Sequence, residues 1–435
     1  MNSELGPNAC RLNPMPLTLT DYDQQLLDGS RGPAAQLAMQ ILVRMAELHR
    51  ATEMMDITGA HIDSALYMGE ATLEFAERLA ALGARVVVPT TLNVSGVDER
   101  HWRDWPVPPE WAERAMRQMR AYTAMGCAPT WTCAPYQAGA APQFGQQIAW
   151  GESNAIAFAN SVIGARTERY PDLLDICAAL TGRVPAVGLH LDENRAAQLV
   201  VRLVGVPRRL QQADEFYPVL GHLLGELAGS RVPAVVGLEV RPTEDQLKGL
   251  GAAAASSGSV ALFHIVGVTP EAPTLEAACR GRTPVGEIEV DLARLRSAWR
   301  ELTTASAEGL DMVVLGSPHF SLAEFKALAP LLTGTKCYPS IRFLVTSSRA
   351  VAVLADKAGA LQALRGFGGA LTVDTCLLTT PMLPATVKTI MTNSAKYAYY
   401  APGMLGVQVV FGSLADCVRS AVAGRVTRDE TLWNG

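Results

Sequence analysis

Apolar positions recur at helical spacing in three early segments. Residues 33–50 place Leu37, Ile41, Leu42, Met45 and Leu48 on one face, which predicts an amphipathic helix. Residues 69–83 do the same with Leu73, Ala76, Leu79 and Leu82, and Gly83 supplies a natural stop. Residues 108–126 align Trp111, Ala115, Met119 and Tyr122. Between the last two, RVVVPTTLN predicts a buried strand. From residue 184 onward the pattern changes. VPAVGLHL, VPAVVGLEV, SVALFHIVG, LDMVVLG, IRFLVTS and ALTVD are short β-rich runs, most of them separated by helical segments. Thr243 with Gln246, and Ser321 with Glu324, form capping boxes that open two of those helices. Alternation of this kind predicts an α/β fold with mostly parallel sheets. Residues 1–33 read as a polar, Pro/Gly-containing arm. A break near 200–215 divides the rest into two lobe regions, 34–205 and 206–435.

Composition narrows the class. The chain has 435 residues, 49% of them hydrophobic and 18% charged, enough for a large core and too many for one simple domain. A net charge of −5 gives no reason to expect a nucleic-acid or anionic-membrane partner. The start, MNSELGPNACRLNP, lacks the basic and apolar regions of a secretory signal. The longest apolar stretches, such as Val260–Val268, are too short to span a bilayer. A cytoplasmic protein is the expectation. Its eight cysteines are scattered, so no disulfide framework is expected, and each lone Cys reads first as a small buried hydrophobe.

In parallel sheets, functional groups collect where strands end. LDMVVLG runs into Ser317-Pro318-His319, IRFLV into Thr346-Ser347-Ser348-Arg349, and ALTV into Asp374-Thr375-Cys376. One such end is an ordinary turn; three within so short a span favour a shared site. The first half holds a denser cluster. MGCAPTWTCAPYQ carries Cys127 and Cys133 in a Pro-containing loop, and Glu152, Ser153, Asn154, Asn160, Arg166 and Thr167 interleave with small apolar residues. A solvated helix face would hold more Lys and Glu. His190 closes VPAVGLHL, where a hydrogen-bonded core histidine is the plainer reading. Near the end, Thr392-Asn393-Ser394-Ala395-Lys396-Tyr397 could hold an anion or be a capped helix start. Zinc-binding patterns, the nucleophile elbow, the P-loop and the dinucleotide fingerprint are all missing.

The ordered set MGCAPTWTCAPYQ, GESNAIAFANSVIGARTERY, GLHLDENR, LGSPHFSLAEF, TSSRAV, VDTC, TNSAKYAYYAPG and FGSLADC resembles the large, catalytic part of aconitase X, from about residue 16 to about 425. The resemblance implies an aconitase-like, multi-lobed α/β core with an iron–sulfur cluster in a central cleft. It also implies a hydro-lyase that dehydrates cis-3-hydroxy-L-proline in one branch and a phosphorylated mevalonate in the other. In the wider superfamily three thiolates hold the cluster, and the iron without one keeps an open position as a Lewis acid for the substrate hydroxyl. Cys133 in TCAPY and Cys376 in DTC match cluster-ligand positions. The third is expected in a Gly-Cys-Pro-His motif, which here is Gly316-Ser317-Pro318-His319. Serine is a poor iron ligand beside thiolate. Either Cys127 supplies the third thiolate, or the cluster is smaller or altered, or Ser317 has another role; Cys337 and Cys417 are weaker candidates.

For substrate contacts the resemblance points to Glu70, Thr91, Asn93, Ser95, Glu152, Ser153, Asn154, Arg166, Ser348, Arg349 and Lys396. Arg166 and Arg349 suit a carboxylate because a guanidinium is a planar fork, yet each can equally be a structural ion-pair arginine. His319 is the candidate base, with His190 in reserve. The family also implies a small swivelling domain, fused or separate, that covers the cleft and contributes a serine. No segment outside the motifs is long enough to be that domain, so a separate small subunit is expected. Hydroxyproline is the favoured substrate because basic residues near the motifs are few. A non-catalytic homologue that has lost its cluster is the alternative of another class.

Overall fold

The computed structural model describes residues 17–139, 141–305 and 309–434. Three α/β units follow one another. The first contains β1 (Met54–Asp56), β2 (Ala60–Ile62), β3 (Thr90–Leu92), β4 (Ala149–Trp150) and β5 (Arg183–Pro185). Its central sheet is parallel, in the order β3-β2-β4, and β1 pairs with β5 in an antiparallel ladder. The second unit has β6 (Leu199–Leu203), β7 (Pro233–Val236), β8 (His264–Ile265) and β9 (Gly286–Val290), all parallel, in the order β8-β7-β6-β9. The third has β10 (Met312–Phe320), β11 (Arg342–Ser347), β12 (Ala370–Val373), β13 (Thr389–Thr392) and β14 (Gln408–Phe411), parallel in the order β12-β11-β10-β13-β14.

The predicted early helices occupy Pro33–Leu48, Glu70–Ala81 and Pro109–Ala124. Both capping boxes form, at Thr243/Gln246 and at Ser321/Glu324. Seven strands lie outside the predicted runs: β1, β2, β4, β6, β9, β13 and β14. β9 (GEIEV) alternates polar and apolar residues on a solvated edge. β6 was passed over as part of a break. The boundary at 205/206 therefore cuts through a sheet, since β6 pairs with β7 and β9, which lie beyond it. RVVVPTTLN forms a strand only at its end, over Thr90–Leu92, and VPAVGLHL bends into a 3-10 turn at Gly188–His190. The arm expected over 1–33 is also corrected. Residues 1–16 lie outside the described residues, but Asp21–Leu27 is a helix opened by a Thr20/Asp23 capping box. Buried Asp23 then pairs with Arg183 of β5 at 2.8 Å, tying this helix to the first unit.

What positions the site is the facing of two sheets. The carboxyl ends of β2, β3 and β4 in the first unit open toward those of β10, β12 and β13 in the third. Their seam is hydrogen-bonded: Ser95 N–H donates to Asp374 O at 2.7 Å, and Thr375 Oγ1 donates to Ser95 O at 3.0 Å. The second unit backs the third through fully buried Lys248, which pairs with Asp245 at 2.8 Å and with Glu324. A buried cation with two anionic partners avoids the several kcal/mol that an unpaired one would cost.

Candidate active site

Six strand ends supply one cleft of about 460 Å³. β2 ends on Asp63, β3 on Asn93, β4 on Gly151-Glu152-Ser153, and β12 leads through Asp374 and Thr375 to Cys376. β10 contributes Gly316, Ser317 and His319, and the helix after β13 contributes Lys396.

The local chain is shaped for this convergence. A Cβ at Gly151 would sit 2.6 Å from Asp63 Cβ, so only glycine lets β4 pass so close to β2. Glu152 follows at φ 62°, a left-handed conformation that an L-residue adopts at a cost of order 1 kcal/mol. Its Oε2 accepts from Ala155 N–H at 2.9 Å, and its Oε1 pairs with Lys396. At Gly316, φ is 97° and a Cβ would lie 2.1 Å from Thr346 O, so β10 can approach β11 there only without a side chain. Ser394 caps the helix Ala395–Leu405 by accepting from Tyr397 N–H, and its hydroxyl donates to Ser317 O. The capped-helix reading of TNSAKY is therefore right, and the cap fixes where Lys396 enters.

Cys133 and Cys376, distant in sequence, both line this cleft. Cys133 Sγ accepts from His319 N–H at 3.1 Å, and Cys376 Sγ lies 3.6 Å from Tyr397 Oη. Burial, then the Glu152 charge, pushes the Cys133 thiol up to about 12, while Lys396 pulls it back in part. Burial raises Cys376 as well. Burial would lift Glu152 too, but the charge and hydrogen bond of Lys396 outweigh it and hold the carboxyl below its ordinary range. Asp63 behaves oppositely. Burial first, then repulsion from Glu152, Asp172 and Asp175, lifts its carboxyl to about 7, against a hydrogen bond from Asn93 Nδ2. The other amide atom, Asn93 Oδ1, is buried with no partner.

The remaining expected residues divide cleanly. Asn93, Glu152, Ser153, Ser317, His319 and Lys396 line the cleft. Asn154 lies behind it, its Nδ2 donating to Cys133 O at 3.1 Å. Thr91 Oγ1 bonds His61 Nδ1 at 2.8 Å, and Ser95 Oγ turns to Val97 O at 2.6 Å. Ser348 caps the helix Arg349–Lys357, accepting from Val351 N–H at 3.1 Å. Arg349 is bound to Asp374 and Glu99, and Arg166 to Asp192, so both take the structural ion-pair reading. Glu70 is exposed beside Arg114 at 3.5 Å. Neither histidine is placed as a base. His319 Nε2 donates to Thr375 O at 3.0 Å and its Nδ1 faces Thr132 Oγ1 at 3.2 Å; burial lowers the ring to about 4. His190 is held by Gln147 at 2.6 Å and by Tyr170, and burial lowers it to about 3. Cys127 lies in the core beside Tyr122 and Asp175, away from the cleft lining. Cys337 donates toward Ile341 O at 3.4 Å and Cys417 is fully buried in the third unit's core. Asp63 was missed: AHID reads as an ordinary strand end, and only the strand-end rule applied to AHI would have singled it out.

The donor set suits a sulfur-ligated metal group. Two thiols share a cleft in which Lys396, the cation that acts on both thiols, is already committed to Glu152. Protonated thiols are the resting state of such a site, and a bound cationic centre is what would convert them to ligands. Among the described residues Cys133 and Cys376 are the cysteines that line the cleft, and Ser317 lines it with them.

Comparison with known proteins places this arrangement. Family models described as the aconitase X first, second and third domains match residues 16–193, 197–300 and 310–423. The chain is 49% identical over 418 residues to the cis-3-hydroxy-L-proline dehydratase of Pseudomonas aeruginosa, covering 95% of this chain and 72% of that protein. It is 48% identical over 412 residues to the protein of the same name from Hypocrea jecorina, covering 94% of this chain and 69% of the relative. With the phosphomevalonate dehydratase large subunit of Methanothermobacter thermautotrophicus it shares 37% over 399 residues, 91% of this chain and 97% of that one. The crystal structure of Thermococcus kodakaraensis aconitase X in its holo-form superposes with a TM-score of 0.83 at 33% identity, covering 93% of this chain and all of that one. With three domain models matched in order and the cleft built at their strand ends, the chain belongs to the aconitase X family.

Proposed function

We propose that this protein is a hydro-lyase that removes water from cis-3-hydroxy-L-proline, giving an enamine that becomes a cyclic imine. The observation that carries the reading is the cleft itself: two thiols, an ionised Glu152–Lys396 pair and a carboxyl lifted to about 7 on converging strand ends. Two relatives at 49% and 48% identity carry this substrate in their names, while five phosphomevalonate dehydratase large subunits stand between 31% and 37%. Charge agrees. The cleft presents Asp63, Glu152 and Asp172 against Lys396 and Arg169, a balance suited to a zwitterion and poor for a phosphate.

Cys133 and Cys376 would hold an iron–sulfur cluster, which when bound supplies a Lewis-acidic iron for the substrate hydroxyl. The chain's own groups do the rest. Lys396 and, at the cleft mouth, Arg169 receive the carboxylate; the ionised carboxylate of Glu152 takes the proton from the neighbouring carbon, and the ammonium charge and Nζ hydrogen bonds of Lys396 favour the enolate-like charge left behind. Asn93 Oδ1 accepts a hydrogen bond from the substrate's N–H or O–H. Asp63 holds a proton on its carboxyl near neutral pH and delivers it to the departing oxygen. His319 orders Cys133 through its backbone N–H and Thr375 through Nε2.

A small companion domain or subunit completes the cleft. The hydroxyproline relatives extend beyond the matched region, and the phosphomevalonate relatives are named large subunits. Anaerobic incubation of the assembled, cluster-bearing enzyme with cis-3-hydroxy-L-proline, followed by proton NMR, tests the reading. Conversion to the imine is expected; turnover of phosphorylated mevalonate with no change in hydroxyproline would overturn the substrate.

A further inference from the structure

A second group of ligating side chains lies outside the cleft. His222 and Glu226 stand one helical turn apart on the helix Phe216–Ala228, so both face the same way. Glu301 closes the packed helix Leu292–Glu301 and points at them. One ligating atom from each of the three side chains lies within 4.8 Å of the others. His222 Nε2 is 3.5 Å from Glu226 Oε1 and 4.0 Å from Glu301 Oε2. A tetrahedral ion bonded at about 2.0–2.1 Å sets neighbouring ligand atoms about 3.3 Å apart, so small side-chain adjustments close the shell.

The imidazole is the telling member. His222 is 6% exposed, yet it is aimed between two carboxylates and engages neither at normal hydrogen-bond length. Burial lowers its proton affinity, so it presents a neutral ring, the form that binds metal. The carboxylates stand close enough that Glu301 raises the proton affinity of Glu226, after burial. Ser297 Oγ donates to Glu301 Oε1 at 2.9 Å and leaves Oε2 for the shared point. Both carboxylates are roughly half exposed, so the site is open to solvent ions.

From this geometry we infer that His222, Glu226 and Glu301 form a surface site for one divalent transition-metal ion of the zinc class. The ion ties the two helices of the second unit together and keeps a fourth position for water. A nitrogen-and-carboxylate shell of three protein ligands suits zinc or cobalt, whereas calcium and magnesium prefer oxygen alone.

Cobalt(II) chloride titrated into the full chain in chelator-free buffer tests the site. The wild type should take up one equivalent more than His222→Ala or Glu301→Gln. That difference should carry visible d–d bands without thiolate charge transfer, which separates it from the cleft cysteines. Zinc chloride should raise the Tm of the wild type, and the rise should at least halve in Glu226→Gln, a change at an exposed position that keeps the fold. Equal cobalt uptake and an equal zinc-induced Tm rise in wild type and Glu226→Gln would overturn the inference, even if the His222 variant failed to fold.

Discussion

In the proposed reaction Asp63 supplies the proton that leaves with the hydroxyl, and its position sets its own pH signature. Its carboxyl is ordinary in the unfolded chain, at 3.8, and about 7 in the folded one. The folded state therefore binds the extra proton between those values, and stability falls as pH rises through that window. Asp63→Asn should consequently stabilise the protein by up to about 4 kcal/mol at pH 8 and not at all below pH 4, read by urea denaturation. The same substitution should cost about 100-fold in kcat and remove the fall in activity above neutral pH. A variant that is both less stable at pH 8 and fully active would contradict the assignment. Glu152→Gln should do the reverse. It leaves Lys396, whose side chain is only 13% exposed, without its counter-charge, and a loss of about 3 kcal/mol is expected by the same denaturation assay. At this scale the sequence was half legible. Cys133, Cys376, Glu152, Ser317 and Lys396 stood out because their motifs concentrate reactive groups. Asp63 did not, because its character comes from burial and then from Glu152, Asp172 and Asp175, which only folding brings near. Arg166, Arg349 and Ser348 misled for the complementary reason: types that suit a carboxylate also suit ion pairs and caps.

Helices and strands divide the polar motifs into those that carry chemistry and those that carry shape. Ser348 is an N-cap, so Ser348→Ala should cost about 1 kcal/mol of stability and leave KM unchanged in steady-state assays. A severalfold rise in KM would restore it to the substrate site. Gly316 sits where β10 approaches β11, and its positive φ compounds the closeness. Gly316→Ala should displace Ser317 and His319 together, lowering kcat tenfold or more while the capping-box helices remain, as circular dichroism would report. Helices were readable because their apolar periodicity and caps are local. β1, β2, β4, β6, β9, β13 and β14 were not, since short strands take their identity from the neighbours they pair with. The strand-end rule nevertheless held: β10 and β12 run directly into the cleft, and β11 runs into the ion pair that braces it.

As a whole molecule, the chain is three parallel-sheet units with two of them facing across a cleft, and the resemblance written into its motifs anticipated that architecture. It also pointed to Cys133 and Cys376 together, which both line the cleft, but it left open what would take the third position. Distances between loops belong to tertiary structure, and Cys127, six residues from Cys133, folds into the core instead. Among the described residues no helix is long and apolar enough to cross a membrane. A cleft open on one side also predicts dependence on a companion domain. Turnover by this chain should rise by orders of magnitude when the small subunit is supplied in trans, and full activity from residues 1–435 alone would contradict that need. The most direct test of the account is iron content, with the visible spectrum, after anaerobic reconstitution of the wild type and of Cys133→Ser, Cys376→Ser and Cys127→Ser. Iron bound by the wild type and Cys127→Ser but lost from the other two is the predicted result; iron retained by Cys133→Ser and Cys376→Ser, or lost only with Cys127, would contradict it.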